Sequence, residues 1–212
     1  MAHFYLADEL LEASVGDRIA ITGAEARHAV TVSRIRAGES LLVGNGSGLV
    51  ASGPVVVAEP TELAIVVEHV TATAPPSPAI WLAQALAKGD RDEFAVQAAS
   101  ELGVDGVIPW AAQRSIVKWE GPKIKKGHER WSAIVREATK QSLRPWLPEV
   151  SPVVSSRQLA ALAATTRMLV LEPTAELALS DIRSDGRDIV LVVGPEGGIA
   201  PGEIAQFAAA GA

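Results

Sequence analysis

The 212-residue sequence contains no cysteine. A chain without thiols can form no disulfide framework, no thiolate metal site and no cysteine nucleophile. Its four histidines and its carboxylates show no metal-ligand spacing, so we expect no metal. No apolar run approaches the roughly 20 residues of a membrane-spanning helix, and the N-terminus lacks the pattern of a signal peptide. These absences predict a cytoplasmic protein.

Hydrophobic residues make up 48% of the chain, and the mean hydropathy is +0.21. This is ample material for a buried core. The length leaves room for one large domain or two small ones. Composition therefore predicts a globular fold, and the pattern along the chain indicates how it divides into domains.

Positive charge is concentrated in one segment of an otherwise acidic chain. The net charge of −6 and the pI near 5.3 argue, for the whole chain, against a nucleic-acid binder. From Arg114 to Arg144, however, nine basic residues face three acidic ones, which gives +6 and leaves −12 for the remainder. A local basic surface can contact phosphates. A solvated helix face with scattered lysines is the alternative, and charge alone does not decide between them.

Residues 1–72 show the pattern of a small all-β domain. Short apolar runs recur at regular spacing, and Asn45-Gly46 is typical of a hairpin turn. The predicted strands are 3–6, 17–22, 40–44, 48–58 and 61–70. Residues 24–35 are predicted to form a helix between strands. We expect a small barrel, followed at 73–78 by a stiff, proline-rich linker.

Residues 79–212 change to alternating strands and helices, which indicates a mostly parallel α/β sheet. The predicted strands are 80–86, 104–110, 149–154, 168–171 and 189–193, and the predicted helices include 128–143 and 157–163. A further helix is predicted to begin at Asp90-x-x-Glu93, which has the spacing of a capping box. Phe94, Ala98 and Leu102 fall on one apolar face of that helix.

A glycine-rich loop, Gly194-Pro-Glu-Gly-Gly198, follows the strongest strand signal. Pro201 and Glu203 behind it suit the first turn of a helix. A loop between a parallel strand and a helix lies at the carboxyl edge of the sheet, where open α/β folds bind ligands. The spacing excludes a P-loop and a dinucleotide fingerprint. The residues alone indicate a small ligand with a polar edge that backbone groups can contact, and a tight turn is the alternative.

The glycine loop together with Glu203 resembles the signature of the SPOUT methyltransferases, in particular the ribosomal RNA small subunit methyltransferase E family. Further matching motifs occur in order at His28-Ala-Val-Thr-Val-Ser-Arg-Ile-Arg36, Glu101-Leu-Gly-Val104, Glu137-Ala-x-x-Gln-Ser-x-Arg144 and Leu171-Glu172. The resemblance implies a trefoil-knotted α/β domain with a mostly parallel sheet, preceded by a small all-β PUA-like barrel. It also implies that S-adenosylmethionine donates a methyl group to N3 of a uridine in 16S ribosomal RNA.

Glu137, Gln141 and Arg144 fall on one face of the helix predicted after the basic segment. Pro145 should force Arg144 out of helical geometry, to the helix end. An exposed helix with an ordinary i,i+4 pair is the alternative on spacing alone. The resemblance implies that the glutamine and the arginine lie near the target uridine, where a cation would stabilise charge that develops on the base. Glu137 is a candidate general base, with bulk water as its competitor.

The cofactor site implied by the resemblance comprises two strand ends at one sheet edge. Its candidate residues are Leu171, Glu172, Gly194, Pro195, Glu196, Gly197 and Gly198. By resemblance, we expect Glu172 to contact the adenosine or its ribose. Glu196 is expected to be a hydrogen-bond acceptor or an electrostatic partner of the sulfonium. An exposed carboxylate at a strand end is the alternative for Glu172.

The candidate RNA-binding residues come from both predicted domains. They are His28, Arg34, Arg36, Lys88, Arg114, Lys118 and Lys140. A single histidine is more often structural than a ligand. Arg34 and Arg36 are better candidates, because the matching family motif places them there. Trp110, Trp119 and Trp146 flank the basic segment, where each could stack on an unpaired base or pack within the protein.

The resemblance also concerns the end of the chain and its partners. The family continues beyond Gly211-Ala212 with a segment that closes the knot and half of the cofactor pocket, so we expect the chain as given to bind S-adenosylmethionine poorly. The expected partners are 16S rRNA in the small ribosomal subunit and a second copy of the chain. Two rival hypotheses remain: a non-catalytic RNA-binding or ribosome-assembly protein, and an α/β enzyme that binds another nucleotide.

Overall fold

A computed structural model describes residues 3–212. The chain divides into two compact units. The first comprises Met1–Pro75 and Thr139–Leu147, and the second comprises Pro76–Ala138 and Pro148–Ala212. The main boundary therefore falls within the linker predicted at 73–78. The return of Thr139–Leu147 to the first unit was not predicted, because the sequence pattern placed this segment in the second domain.

Six strands and one short helix form the first unit. They are β1 (His3–Leu6), β2 (Arg18–Thr22), α1 (Gly23–Arg27), β3 (Ser40–Gly44), β4 (Leu49–Glu59), β5 (Glu62–Val66) and β6 (His69–Ala72). The strand order is β1-β3-β4-β5-β2, with β6 also pairing with β4. All pairs are antiparallel except β1 with β3. Asn45 closes the predicted β3–β4 hairpin by accepting hydrogen bonds from the amides of Ser47 and Leu49.

Strand β4 is long enough to serve both halves of this sheet. It pairs with β3 and β6 in its first part and with β5 in its second, and its register shifts between Val55 and Val57. Gly53 lies before this irregularity, where an added Cβ would come 1.8 Å from the carbonyl oxygen of Val66. Only glycine allows such a close backbone approach, so the sheet can bend over its core. That core includes Leu41, Leu63 and other residues that are almost fully buried.

The helical insert of the first unit differs from its prediction. Instead of one helix over 24–35, α1 ends at Arg27 and a π-helical turn follows over His28–Val32. Ala26 and Ala29 are the buried positions, and Arg34 has a left-handed φ of 57°. The run predicted as one strand over 61–70 is likewise divided into β5 and β6.

The second unit is an α/β structure. Its elements are β7 (Ile80–Ala85), α2 (Arg91–Leu102), β8 (Gly106–Ala111), α3 (Pro122–Gln141), β9 (Glu149–Val150), β10 (Val154–Ser155), α4 (Ser156–Ala161), β11 (Arg167–Leu171), β12 (Ile189–Val193) and α5 (Pro201–Ala210). The last three residues of α3 belong to the first unit. The helix is six residues longer at its start than the predicted 128–143, and the strand predicted at 149–154 is divided into β9 and β10.

The sheet of this unit is parallel throughout, as predicted. The strand order is β10-β8-β7-β12-β11, and β9 also pairs with β8. Alternate residues of the central strands bury one face, with Ala83, Val190 and Val192 in a core that includes Phe207 of α5. Because all of the strands run the same way, the loops after β7, β8, β11 and β12 lie at one edge.

Helix α2 begins and packs differently from the prediction. Asp90 precedes it in a left-handed conformation (φ 59°) and makes no side-chain cap, so the predicted capping box is wrong. Glu93 instead pairs with Arg130. The buried face carries Asp92, Val96 and Ser100. The apolar face predicted from spacing is turned to solvent, with Phe94 73% and Leu102 89% exposed.

None of the helices in the described part of the chain is long and apolar enough to cross a membrane.

Candidate functional site

The glycine loop connects β12 to α5 at the carboxyl edge of the parallel sheet. The amide of Gly198 donates to the carbonyl of Pro195 at 2.9 Å, which closes a turn, and Gly198 has a φ of +71°. Pro201 occupies the first position of α5, as predicted. The middle of the loop is exposed, whereas Ile199 and Ala200 are buried. The loop therefore exposes its backbone groups to solvent, whereas the two residues that follow it are buried.

Glu196 fixes one side of this loop to the end of β7. Its Oε1 accepts a hydrogen bond from the amide of Lys88 at 2.7 Å and lies 3.2 Å from a guanidinium nitrogen of Arg91. Hydrogen bonds from its own amide and that of Lys88, together with the Arg91 charge, hold the pKa of Glu196 below its usual value. The carboxylate therefore remains charged at neutral pH. In this arrangement Glu196 is directed at groups of the protein itself.

Asp92 forms hydrogen bonds with the segment that follows β7, which carries Lys88. Its Oδ2 accepts from the amide of Ala87 at 3.1 Å, and its Oδ1 accepts from the amide of Glu93 at 2.9 Å. Burial raises the pKa of Asp92, although these amide hydrogen bonds act in the opposite direction. The loop that carries Lys88 is thus tied both to the first turn of α2 and to the glycine loop.

Arg114 fixes the other side of the glycine loop. Its Nη1 donates to the carbonyl oxygen of Gly197 at 2.9 Å and lies 3.5 Å from that of Ile199. The sequence predicted a phosphate contact for Arg114. The structure adds a role within the protein, because the guanidinium closes over the loop from the segment after β8 and holds two of its carbonyl groups.

A buried carboxylate, Glu203, joins three segments beneath the loop. Its Oε1 accepts from the amide of Gln113 at 2.8 Å and from the hydroxyl of Ser156 at 2.5 Å, while Oε2 accepts from the amide of Ala200 at 3.2 Å. Ser156 in turn accepts from the indole N–H of Trp110 at 3.1 Å. Glu203 is 5% exposed. It therefore connects the ends of β8 and β10 to the first turn of α5.

Two of the tryptophans near the basic segment, Trp110 and Trp119, are packed against other aromatic rings. Trp110 is fully buried and meets Phe207 edge to face, with ring centroids 5.4 Å apart. Trp119 meets Trp131 in the same way at 5.3 Å. For Trp110, packing within the protein is therefore the correct alternative, since a fully buried ring cannot stack on a base.

Leu171 and Glu172 lie beside the glycine loop, as predicted from the strand ends. Leu171 is the register partner of Val193, the residue before Gly194. Both residues line a cavity of about 820 Å³ at the edge of the sheet. This volume is in the range of small-molecule sites. The glycine loop itself does not line the cavity, so the predicted cofactor residues form two neighbouring groups at one edge.

The predicted catalytic residues are divided between the two units. Glu137 lies on the part of α3 that belongs to the second unit, and it is exposed. Gln141 and Arg144 belong to the first unit. The helix ends at Gln141, and Leu143 has a left-handed φ of 56°. Arg144 therefore lies beyond the helix end, as expected from Pro145, and helical spacing does not place it on a face shared with Glu137.

Lys140 is buried, contrary to its predicted role as an RNA-binding residue. Its side chain is 8% exposed, and Nζ lies 3.1 Å and 3.2 Å from the two carboxylate oxygens of Glu25. An ammonium group in this position is not available to a phosphate at the surface. The other candidates in the first unit, His28, Arg34 and Arg36, are exposed, as are Lys88, Arg114 and Lys118 in the second.

Four residues that contribute to this site were not predicted from the sequence: Arg91, Asp92, Gln113 and Ser156. Gln113 contributes its backbone amide, which every residue except proline has. Ser156 lies 47 positions from Glu203 in the chain, so no local pattern connects them. Within residues 3–212, no group of three or more His, Cys, Asp or Glu side chains could hold a metal ion.

Comparison with known families assigns the class of protein. The model of an RNA methyltransferase domain matches residues 75–212, and that of an RNA methyltransferase PUA domain matches residues 21–68. A parallel α/β unit with a glycine loop at its carboxyl edge fits this assignment. The chain is an RNA methyltransferase by class, with a PUA domain before its catalytic domain.

Individual relatives narrow the assignment. Ribosomal RNA small subunit methyltransferase E of Mycobacterium bovis is 39% identical over 198 residues, which cover 91% of this chain and 76% of the relative. The Bacillus subtilis protein of the same name is 31% identical and covers 88% and 77% of the two chains. The chain therefore belongs to the ribosomal RNA small subunit methyltransferase E family.

Solved structures agree with this assignment. Ribosomal RNA small subunit methyltransferase E from Neisseria gonorrhoeae, bound to S-adenosyl methionine, matches with a TM-score of 0.86 and 30% identity. The match covers 100% of this chain and 87% of that one. A Legionella pneumophila methyltransferase in complex with S-adenosylmethionine has a TM-score of 0.84 and 27% identity, and the match covers 99% and 86% of the chains.

Replacement of Glu203 by glutamine should weaken the buried junction below the loop. The amide has only one acceptor oxygen, so its NH2 group would face a donor, either the Ala200 amide or the Gln113 and Ser156 pair. We expect the free energy of unfolding to fall by about 1–3 kcal/mol, measured by urea denaturation. Glu149→Gln, at an exposed carboxylate, should change it by less than about 0.5 kcal/mol. Equal stability of the two variants would contradict a structural role for Glu203.

Proposed function

We propose that this protein transfers a methyl group from S-adenosylmethionine to N3 of a uridine in the 16S rRNA of the small ribosomal subunit. One observation carries the proposal. The chain matches, over its whole length, the Neisseria gonorrhoeae small subunit methyltransferase E bound to S-adenosyl methionine. Its glycine loop and the end of β11 lie side by side at the sheet edge where α/β enzymes bind ligands.

The residues at this edge suit S-adenosylmethionine. Gly197 is exposed, and a Cβ there would have only ordinary contacts with Arg114, at 3.7 Å or more, so the missing side chain leaves backbone open to a ligand. The cavity beside it is lined largely by apolar side chains, with Glu172 as a carboxylate that can accept from ribose or adenine. Glycine-loop backbone groups and Leu171 would hold the adenosine part.

The methyl donor, when bound, supplies an electrophilic carbon on a sulfonium. Methyl transfer to N3 of uridine requires loss of the N3 proton, which leaves negative charge shared with O2 and O4 of the base. The guanidinium of Arg144 would stabilise that charge as it develops, and Gln141 would orient the base through hydrogen bonds. Glu137 is the proposed general base, because it is an exposed carboxylate on the same helix as Gln141.

Basic side chains at the surface would bind the rRNA backbone. The exposed candidates are His28, Arg34, Arg36, Lys88, Arg114 and Lys118. Arg34 and Arg36 follow the π-helical turn in the PUA domain, and charges of this kind contact phosphates without reading sequence. The ribosomal substrate implies a cytoplasmic location. We further propose the trefoil knot of SPOUT proteins for the α/β unit, supported by the family assignment and the non-sequential strand order.

We also propose that the protein is a homodimer. The support is the outward face of α2, where Phe94 and Leu102 lie two helical turns apart and are both highly exposed. Large apolar side chains exposed on one face of a helix are a common feature of interfaces. A second copy of the chain is the occupant that the family resemblance implies.

The proposal is tested in cells that lack this protein. Mass-spectrometric mapping should show one 16S rRNA uridine that is unmethylated in these cells and methylated after complementation with the wild-type gene. An unchanged modification pattern, with RNA binding retained by the purified protein, would support the rival hypothesis of a non-catalytic assembly protein.

Substitution of Gly197 should abolish cofactor binding without unfolding the protein. The site accepts a Cβ as far as the protein is concerned, so a loss of affinity would come from crowding of the ligand. We expect Gly197→Val to weaken S-adenosylhomocysteine binding by at least about tenfold, measured by calorimetry on the full-length protein. Gly202→Ala, where nothing lies within 4 Å, is the control and should bind normally. Equal affinities would show that the loop is merely a turn.

Replacement of Arg144 by alanine should reduce methyl transfer far more than cofactor binding. The loss of one group that stabilises developing charge costs about 10²–10³ in kcat. S-Adenosylhomocysteine affinity should change less than about twofold. Arg18→Ala, an exposed arginine of the first unit outside the proposed site, should retain activity. A parallel loss of turnover and cofactor affinity would assign Arg144 to a different role.

A charge on the outward face of α2 should dissociate the proposed dimer. Phe94→Asp should sediment as a monomer in analytical ultracentrifugation, because an aspartate buried in an apolar interface lacks a partner. Leu11→Asp is the matched control, since Leu11 is 88% exposed but lies in the first unit. A wild-type monomer, or an unaffected dimer in the Phe94 variant, would refute this interface.

A further inference from the structure

The segment Thr139–Leu147 carries two of the proposed catalytic residues, Gln141 and Arg144. Backbone hydrogen bonds attach it to the rest of the first unit. The amide of Gly48 donates to the carbonyl of Pro145 at 2.9 Å, and the amide of Leu147 donates to the carbonyl of Gly46 at 2.9 Å. Both glycines belong to the hairpin between β3 and β4. The segment therefore lies against this hairpin like an added strand.

Trp146 strengthens the same attachment with its side chain. Its indole N–H donates to the carbonyl of Thr73 at 3.1 Å. Its ring occupies the space beside Gly48, where an added Cβ would come within 2.8 Å of it. Gly48 also has a φ of +95°, so this position requires glycine for two reasons. The alternatives for Trp146 were stacking on an unpaired base and packing within the protein. Packing accounts for the position of the ring and for the hydrogen bond of its N–H.

An ion pair between the buried Lys140 and the half-buried Glu25 holds the beginning of the segment. The Lys140 ammonium contacts both oxygens of Glu25 in α1 and lies 5.9 Å from the ring centroid of Tyr5, which is itself buried. A buried ammonium is stable only with such compensation. Lys140 therefore ties the last turn of α3 to the helical insert of the PUA domain.

Backbone hydrogen bonds in the turn between Lys140 and Arg144 connect the ion pair to Arg144. The amide of Arg144 donates to the carbonyl of Thr139 at 3.1 Å, and that of Leu143 donates to the carbonyl of Lys140 at 3.3 Å. This is the Schellman pattern, with a left-handed leucine at the position where glycine is preferred. A residue held in this conformation against its preference indicates that surrounding contacts determine the backbone direction.

From these contacts we propose that the Lys140–Glu25 pair is a positioning device, through which the PUA domain holds Arg144 for its role in methyl transfer. The proposal rests on the function proposed above for Arg144. It assigns to the PUA domain a part in the catalytic step, in addition to RNA binding. Lys140 and Glu25 act through the turn and need not touch the RNA.

The experiment compares Glu25→Gln and Lys140→Met with Glu62→Gln in the full-length protein. Glu62 is the matched control, because it forms an exposed ion pair with Arg18 at 2.6 Å in the same unit. We expect the first two variants to lose at least about tenfold in kcat, while S-adenosylhomocysteine affinity and the KM for RNA change less than about threefold. Glu62→Gln should retain wild-type turnover.

A double-mutant cycle separates positioning from general damage. If the pair acts through Arg144, Lys140→Met should cause little further loss in an Arg144→Ala background. Multiplicative losses would overturn the proposal, as would wild-type turnover in both single variants. Lys140→Met removes the buried charge itself. The test therefore remains valid if Glu25→Gln fails to fold. Thermal denaturation verifies the folding of each variant. Inactive wild-type protein would instead refute the proposed function.

Discussion

The buried carboxylate of Glu203 joins the first turn of α5 to two segments of the α/β unit that are distant from it in sequence. Its oxygens accept hydrogen bonds from the segment after β8, from the start of α4 and from the residue before α5. A carboxylate accepts several donors at once, which an amide or a hydroxyl cannot do at the same geometry. These hydrogen bonds hold the residues that follow the glycine loop against the segments after β8 and β10.

Side chains also hold the glycine loop from two sides. Glu196 binds the amide of Lys88 on one side, and Arg114 holds the carbonyl of Gly197 on the other. The protein's own charged groups thus hold a segment that has little side-chain bulk of its own. A loop with exposed backbone and little freedom to move loses little entropy when a ligand binds, which favours affinity for a ligand contacted through main-chain groups.

Under the function proposed above, the first unit contributes residues to the catalytic step as well as to RNA binding. Gln141 and Arg144 belong to the same unit as the PUA strands, whereas the glycine loop belongs to the α/β unit. The groups proposed to act on the base and the groups proposed to hold the methyl donor therefore come from different units.

The sequence by itself determined most of the strands, the parallel class of the second sheet, the glycine loop and the family, because these depend on local periodicity and on short motifs. It also predicted that Leu171 would lie beside the loop, since parallel strands end at one edge. Only the tertiary structure decided which face of α2 is buried, the burial of Lys140, the contacts of Arg114 and the return of Thr139–Leu147 to the first unit. Each of these depends on partners distant in sequence, such as Glu25 for Lys140, and no local pattern encodes which of several polar groups a side chain meets.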